Sequence, residues 1–227
     1  MPSIHAAGAP PERGDHRGVH AELRVAGHRA DELVARVRGG GHRGRDAADR
    51  TVATVRRVVV LGRGGAGKST LARRLGAVRA LPVLELDEHF WSPGPRPLAK
   101  DEWAAVQERL VAVDGWVMDG DLGPYDVLPV RLRAADTVLV LDFPLWRCAW
   151  RALRRSRENL DFWRWLVTYR RRALPVVVAA LGEHAAHADV HVLRGPRAVE
   201  RFLSRASAPA GTPPPPMRAP RPRRRRA

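Results

Sequence analysis

The stretch Val58–Leu71, reading VVVLGRGGAGKSTL, constrains this chain more than any other. A β-branched apolar run of the type buried in a parallel sheet meets a glycine-rich turn, and the turn leads into Ser69–Leu75, where apolar residues recur at helical spacing. Four residues separate Gly62 from the Gly67-Lys68-Ser69 end, which is the spacing of a Walker A motif. Gly64, Gly65 and Gly67 let successive backbone N–H groups converge on phosphate oxygens. Lys68 then reaches the outer phosphates as a point charge, the Ser69 hydroxyl ligates Mg²⁺, and the helix adds the positive end of its dipole. The candidate ATP ligands are therefore Gly62, Gly64, Gly65, Ala66, Gly67, Lys68, Ser69 and Thr70.

Charge is the second constraint. The 227 residues carry 40 Lys and Arg against 24 Asp and Glu, a net of +16. Residues 51–206 hold 25 of the basic and 17 of the acidic residues, so the body itself is basic, as a site for polyanionic phosphates requires. The same balance suits a nucleic-acid binder, and it also follows from an arginine-rich coding bias, since Lys68 and Lys100 are the only lysines. Cys148 is the single cysteine, which excludes an internal disulfide and fits a reducing compartment. No run approaches the roughly 18 apolar residues of a membrane helix, and the N-terminus lacks the apolar core of a signal peptide. The expected location is the cytoplasm, with no membrane partner.

Three segments follow from composition. Residues 1–50 are poor in aromatic and β-branched residues and are expected to be disordered or weakly helical; their histidines (His5, His16, His20, His28, His42) are too irregularly spaced for a metal site. Residues 51–206 form the folded domain. Residues 207–227, with Pro213–Pro216 and Arg223–Arg226, carry 6 Arg and no acid, and are expected to be a disordered basic tail able to hold nucleic acid without sequence preference.

Within the domain, strands are expected at Val58–Leu61, Leu81–Leu86, Gly115–Met118, Thr137–Leu141 and Asp189–Leu193, alternating with helices, which specifies an α/β fold with a five-stranded parallel sheet. Leu98–Val113 reads as an amphipathic helix with Trp103, Val106, Leu110 and Val113 on one face. Further helices are expected around Val127–Arg133, at Leu145–Arg157, at Leu160–Leu181 and from Pro196 to about Leu203. Ligands of open α/β sheets bind beyond the carboxyl ends of the strands, so the acids there are site candidates. Asp87 follows the second strand. Asp119 and Asp142 end the third and fourth, and of these Asp119 is assigned to magnesium and Asp142 to a structural role, as a cap on the Leu145 helix. On that helix Arg147, Arg151, Arg154 and Arg155 share much of one face. Phe162, Trp163, Trp165, Leu166 and Tyr169 are expected to form core or the wall of a groove.

The Walker A, LDEHFW, the WVMDGD step, RLRAADTVLVLDFP and HVLRGPRAVERFL together resemble the nucleoside-monophosphate kinase branch of P-loop proteins. More closely, Arg56–Leu203 is similar to adenylate kinase-related proteins labelled DNA topology modulation proteins. The resemblance implies a three-layer P-loop kinase fold with ATP and Mg²⁺ as cofactors. It implies magnesium ligation through Ser69 and Asp119, Arg151 stacked on adenine, Arg155 on phosphate, Arg194–Pro196 closing over adenine, and Arg131 reaching the acceptor side. The chain departs from adenylate kinases in lacking the arginine of their DGFPR motif after Asp119-Gly120, and in having only a short stretch from Arg155 to Asp161 for a lid.

Together these readings give a kinase that transfers the γ-phosphoryl group of Mg-ATP to a small-molecule or nucleotide acceptor, with Lys68, Asp87, Arg131, Arg151 and Arg155 as the candidate catalytic residues. Asp87 would orient or deprotonate an acceptor hydroxyl, whereas a nucleotide acceptor would need Arg131 or Arg96 instead. The alternative is a non-catalytic, nucleotide-dependent regulator that binds nucleic acid.

Overall fold

The computed structural model describes residues 55–91, 98–123, 126–155 and 160–207. The expected extensions at 1–50 and from Ala208 onward lie outside these residues, as does Arg96; so do the side chains of Trp91, Arg155 and Asp161.

Five strands form one parallel sheet: β1 (Arg57–Gly62), β2 (Val83–Glu85), β3 (Trp116–Asp119), β4 (Thr137–Leu141) and β5 (Asp189–Leu193), in the order β2-β3-β1-β4-β5. The apolar run of β1 sits between β3 and β4, where a parallel strand is buried on both faces, and this explains its unbroken Val-Val-Val-Leu sequence. Its side chains alternate between two cores. Val59 and Leu61 pack with Trp103, Trp116, Met118, Leu132 and Val178 on one face, while Val58 and Val60 pack with Leu71, Leu75, Val117, Leu139 and Phe202 on the other.

The helices that supply these layers are α1 (Lys68–Arg79), α2 (Leu86–Trp91), α3 (Lys100–Val111), α4 (Leu128–Ala134), α5 (Leu145–Arg155), α6 (Leu160–His184) and α7 (Pro196–Ala206). The long α6 contributes Leu166 to one core and Tyr169, Val178 and Leu181 to the other, so it crosses the sheet from one face to the other. The expected three-layer α/β architecture with a five-stranded parallel sheet is present.

Two elements differ from expectation. The second strand is half the anticipated length, because the chain turns helical at Leu86: Asp87 and Glu88 occupy the first turn of α2, where acids favour a helix start, and Leu86 and Phe90 bury the same side at i and i+4. Asp87 therefore stands in the first turn of a helix rather than at the end of a strand. In α3 the buried residues are Trp103 and Gln107, and the helix ends at Val111, which leaves Val113 outside it and half exposed.

Candidate active site

The register places the site. Val60 of β1 lies opposite Asp119 of β3, and Gly62 lies opposite Leu141 of β4, so the loop that leaves β1 rises between the ends of its two neighbours. Gly67 caps α1 with φ of 97°, a left-handed conformation that side chains rarely adopt, and a Cβ there would stand 2.8 Å from Arg151 Nη1. No side chain caps α1, so the first N–H groups of this 12-residue helix stay available to an anion. Lys68 and Ser69 are its first two residues, both partly buried, and Thr70 is exposed. Gly62 ends β1, and Gly64, Gly65 and Ala66 form the turn between.

Asp119 is buried at 5% exposure, and its Oδ1 has no hydrogen-bond partner. Burial pushes its carboxyl up from the usual range; the Lys68 charge and a hydrogen bond from the Ser69 hydroxyl act against this, while Glu85 and Asp87 add to it. A carboxylate held out of water with one oxygen unused, beside a Walker A serine, matches the donor set of a hard divalent cation. The fit with Mg²⁺ at Ser69 and Asp119 is therefore chemical as well as positional.

The other strand-end acid does something else. Asp142 accepts a hydrogen bond from Arg170 Nη2 at 3.0 Å and faces Arg194 Nε at 3.7 Å, tying α6 to the end of β5. The start of α5 is bonded instead from Arg147 N and Cys148 N to the Pro144 carbonyl, so the expected cap by Asp142 is replaced by a clamp. Arg194 is thereby placed beside β4.

One arginine, Arg131, departs from the expectation the resemblance carried. Arg151 lies against the loop, donating Nη1 to the Ala66 carbonyl at 3.4 Å, with its guanidinium beside Gly67. Arg131 is fully buried: Nη1 and Nη2 donate to the two oxygens of Asp126 at 2.6 and 2.5 Å, with Gln107 Oε1 at 3.1 Å and the Gly120 carbonyl at 3.2 Å. It anchors the loop after β3, and at 0% exposure it does not face an acceptor, although its Nε has no hydrogen-bond partner among the described residues. Arg155 ends α5, but its side chain is outside the described residues. Asp87 is exposed and makes no ion pair among the described residues, and its charge is one of those that raise the Asp119 carboxyl.

Two contributors, Arg63 and Asp121, were not singled out from the sequence, and a third, Tyr169, was expected only as core or groove wall. Arg63, the second residue of the motif, is buried at 4% exposure, with its guanidinium 5.7 Å over the Tyr169 ring and its Nη1 unpartnered. Asp121 lies close enough to Lys68 for the ammonium to favour its charged form, although burial, the larger effect, pushes its carboxyl up. Tyr169 donates its hydroxyl to Asp121 Oδ2 at 3.4 Å; burial, followed by the Asp121 charge, drives its phenol well above the ordinary range and keeps it protonated. The wall expected of α6 is present beside them, since a Cβ on Gly64 would meet Phe162 at 2.6 Å and Trp165 at 2.9 Å. The repeated acid of Asp119-Gly120-Asp121 was the available signal for Asp121, while for Arg63 it was a charge inside a glycine turn.

No family model and no curated protein matches the chain. Among solved structures it is similar to a shikimate kinase from Bacteroides thetaiotaomicron (15% identity, TM-score 0.41, covering 66% of this chain and 94% of that one). It is also similar to a gluconokinase from Sinorhizobium meliloti 1021 (18%, 0.44, 70% and 95%) and to a sugar kinase from Janibacter sp. HTCC2649 (23%, 0.43, 66% and 93%). At that distance no acceptor follows from them. Among the described residues no helix is long and apolar enough to cross a membrane.

Proposed function

We propose that the chain is a small-molecule kinase that moves the γ-phosphoryl group of Mg-ATP onto an acceptor hydroxyl. The observation that carries this reading is the buried, half-satisfied Asp119 beside Ser69 and Lys68, at the mouth of an uncapped helix. Lys68 and the α1 N–H groups hold the phosphates, and Ser69 with Asp119 holds Mg²⁺, which neutralises charge on the nucleotide. Arg151 already lies over the loop and balances charge gathering on the transferring group. The acceptor oxygen forms a bond to the γ-phosphorus as the bond to the β–γ bridging oxygen breaks, ADP leaves, and the hydroxyl proton passes to Asp87. The resemblance to adenylate kinase-related proteins bears on the nucleotide half of this site. On the acceptor half, Arg131 is committed to Asp126 and is not free for a nucleotide acceptor.

The experiment is an ADP-release assay with ATP and Mg²⁺ across sugars, sugar acids, polyols, nucleosides and nucleoside monophosphates. Lys68→Ala is expected to abolish turnover and ATP binding. Asp87→Asn is expected to lower acceptor-dependent turnover by about 10²-fold or more, the scale of a lost general base, with ATP affinity unchanged by calorimetry. Turnover that survives Asp87→Asn would remove that residue from the chemistry, and ADP formed efficiently from ATP plus AMP would return the chain to the nucleotide kinases.

A further inference from the structure

The two carboxylates after the Asp119-Gly120 step are used in opposite ways. Asp126 receives two short bonds from Arg131, one from Gln107 Nε2 at 3.3 Å and one from Leu122 N at 3.4 Å, so its acceptor positions are filled. Among the described residues Asp121 receives Gly123 N at 3.2 Å on Oδ1 and the Tyr169 hydroxyl at 3.4 Å on Oδ2. An O–H···O bond to a carboxylate ordinarily closes to about 2.5–3.0 Å, and an ionised carboxylate offers about four acceptor positions, so Oδ2 is under-bonded. A part-buried carboxylate in that condition is a place where a ligand donor belongs.

The surroundings say what kind of donor. Asp121 follows Asp119 and Gly120 past the end of β3, at the carboxyl ends of the strands where ligands of open α/β sheets bind, and the Lys68 charge acts on it. Trp165 and Tyr169, one turn apart on α6 with ring centroids 5.4 Å apart, form an aromatic wall above it, and Trp165 Nε1 is 3.8 Å from where a side chain on Gly123 would begin. Such a wall takes the C–H faces of a sugar-like ring, and its indole N–H is a donor for one of that ring's oxygens. The buried Arg63 Nη1, without a partner and carried over the Tyr169 ring, is a second donor directed to the same group of side chains. At this cluster a carboxylate or phosphate of an acceptor would meet the Asp121 carboxylate, whereas a hydroxyl or ammonium would donate to it.

Resting on the kinase reading above, we propose that Asp121, braced by Tyr169, is the residue that selects the acceptor, binding a hydroxyl or ammonium of an uncharged or cationic polyhydroxylated molecule and excluding anionic ones. Trp165 supplies the ring contact, and Arg63 donates to a ring or hydroxyl oxygen.

The test uses the full chain with matched acceptors that differ in charge at one carbon: glucose, glucosamine and gluconate, with ATP, Mg²⁺ and ADP release as readout. Glucose and glucosamine are expected to exceed gluconate in kcat/KM by about 10-fold or more. Asp121→Asn, which conserves shape, is expected to raise the KM for glucose by roughly 10-fold and to shrink the glucose-to-gluconate ratio by a similar factor, with the ATP Kd unchanged. Tyr169→Phe should shift the same ratio in the same direction by less, and it serves if Asp121→Asn fails to fold. A wild-type preference for gluconate, or a ratio unmoved by both variants, overturns the proposal and passes recognition to Arg63 while leaving the kinase reading intact. If no sugar releases ADP, calorimetry of glucose into the protein saturated with a non-hydrolysable ATP analogue separates the two. Binding weakened by Asp121→Asn upholds the subsite and sinks the kinase reading, whereas no binding of any of the three sinks the subsite.

Discussion

Replacing Arg131 by Met takes the cation away from a carboxylate that the fold has already buried. The side chains of Arg131 and Asp126 are 0% and 6% exposed, so neither can turn to water. After the substitution Asp126 keeps only the long contacts from Gln107 and Leu122. Breaking a buried pair from one side costs about 3–5 kcal/mol, and Met fills most of the vacated volume, so the orphaned charge dominates the loss. For a domain of this size about 1 kcal/mol moves Tm by 2–4 °C, which puts the expected fall at roughly 6–20 °C. Adding Asp126→Asn removes the stranded charge, and the double variant should recover at least about 2 kcal/mol of what the single one loses. The pH dependence has a definite sign. Burial pushes the Asp126 carboxyl up, but the charge and hydrogen bonds of Arg131 outweigh it and hold the folded-state pKa below the ordinary range. A depressed carboxyl stabilises the fold above its unfolded pKa, and that contribution is lost as pH falls through the folded one. In Arg131→Met burial outweighs the remaining Gln107 and Leu122 bonds and raises the folded pKa, so the gap to wild type is larger at pH 7 than at pH 4, narrowing as pH falls through that raised value and on through the depressed wild-type one. Urea unfolding followed by circular dichroism at pH 7 and pH 4 measures all three quantities. A loss under about 1 kcal/mol at pH 7, or a double variant no more stable than the single one, would refute the assignment of Arg131 to the architecture.

Three further outcomes are expected. Asp119→Asn should raise stability at neutral pH without Mg²⁺, because a carboxyl pushed up by burial stabilises only below its unfolded pKa and loses that contribution as pH rises through the folded one; it should also abolish the Mg²⁺ dependence of turnover. Asp142→Asn should leave that dependence alone and cost below about 1 kcal/mol, since its partner Arg170 is more than half exposed; a larger metal effect at Asp142 than at Asp119 would reverse the assignment. Removing residues 208–227 should abolish most nucleic-acid binding and spare ATP binding, and the lost component should carry a log-log salt slope of up to about −4 to −5 for six arginines. Nucleic-acid affinity unchanged by the truncation would place that contact on the folded body and favour the regulator.

How far the sequence could be read depended on whether the deciding contact was local. The segment VVVLG announces a central strand because both faces of β1 are buried, and TVLVL does the same for β4. LPVLEL is as apolar, yet only Val83–Glu85 pair with β3, since the periodicity that wins from Leu86 onward is the i, i+4 burial of Leu86 and Phe90 behind two acids suited to a helix start. Arg131 illustrates the harder case. As an arginine on a short amphipathic helix it could face solvent, substrate or core, and the choice is made by Asp126 across the loop together with Gln107, 24 residues earlier on another helix. The Asp119-Gly120-Asp121 step shows two acids on a strand end, but nothing nearby says which one loses its solvent and which one gains a phenol. Tyr169 is 48 residues from Asp121, and its arrival there depends on α6 crossing from one core to the other. The proposed nucleotide half of the site is therefore legible because a single contiguous loop builds it. The proposed acceptor half would be assembled by α2, the loop after β3 and α6, and it becomes visible only once Arg131 is seen to be paired with Asp126 while Asp121 carries two long contacts.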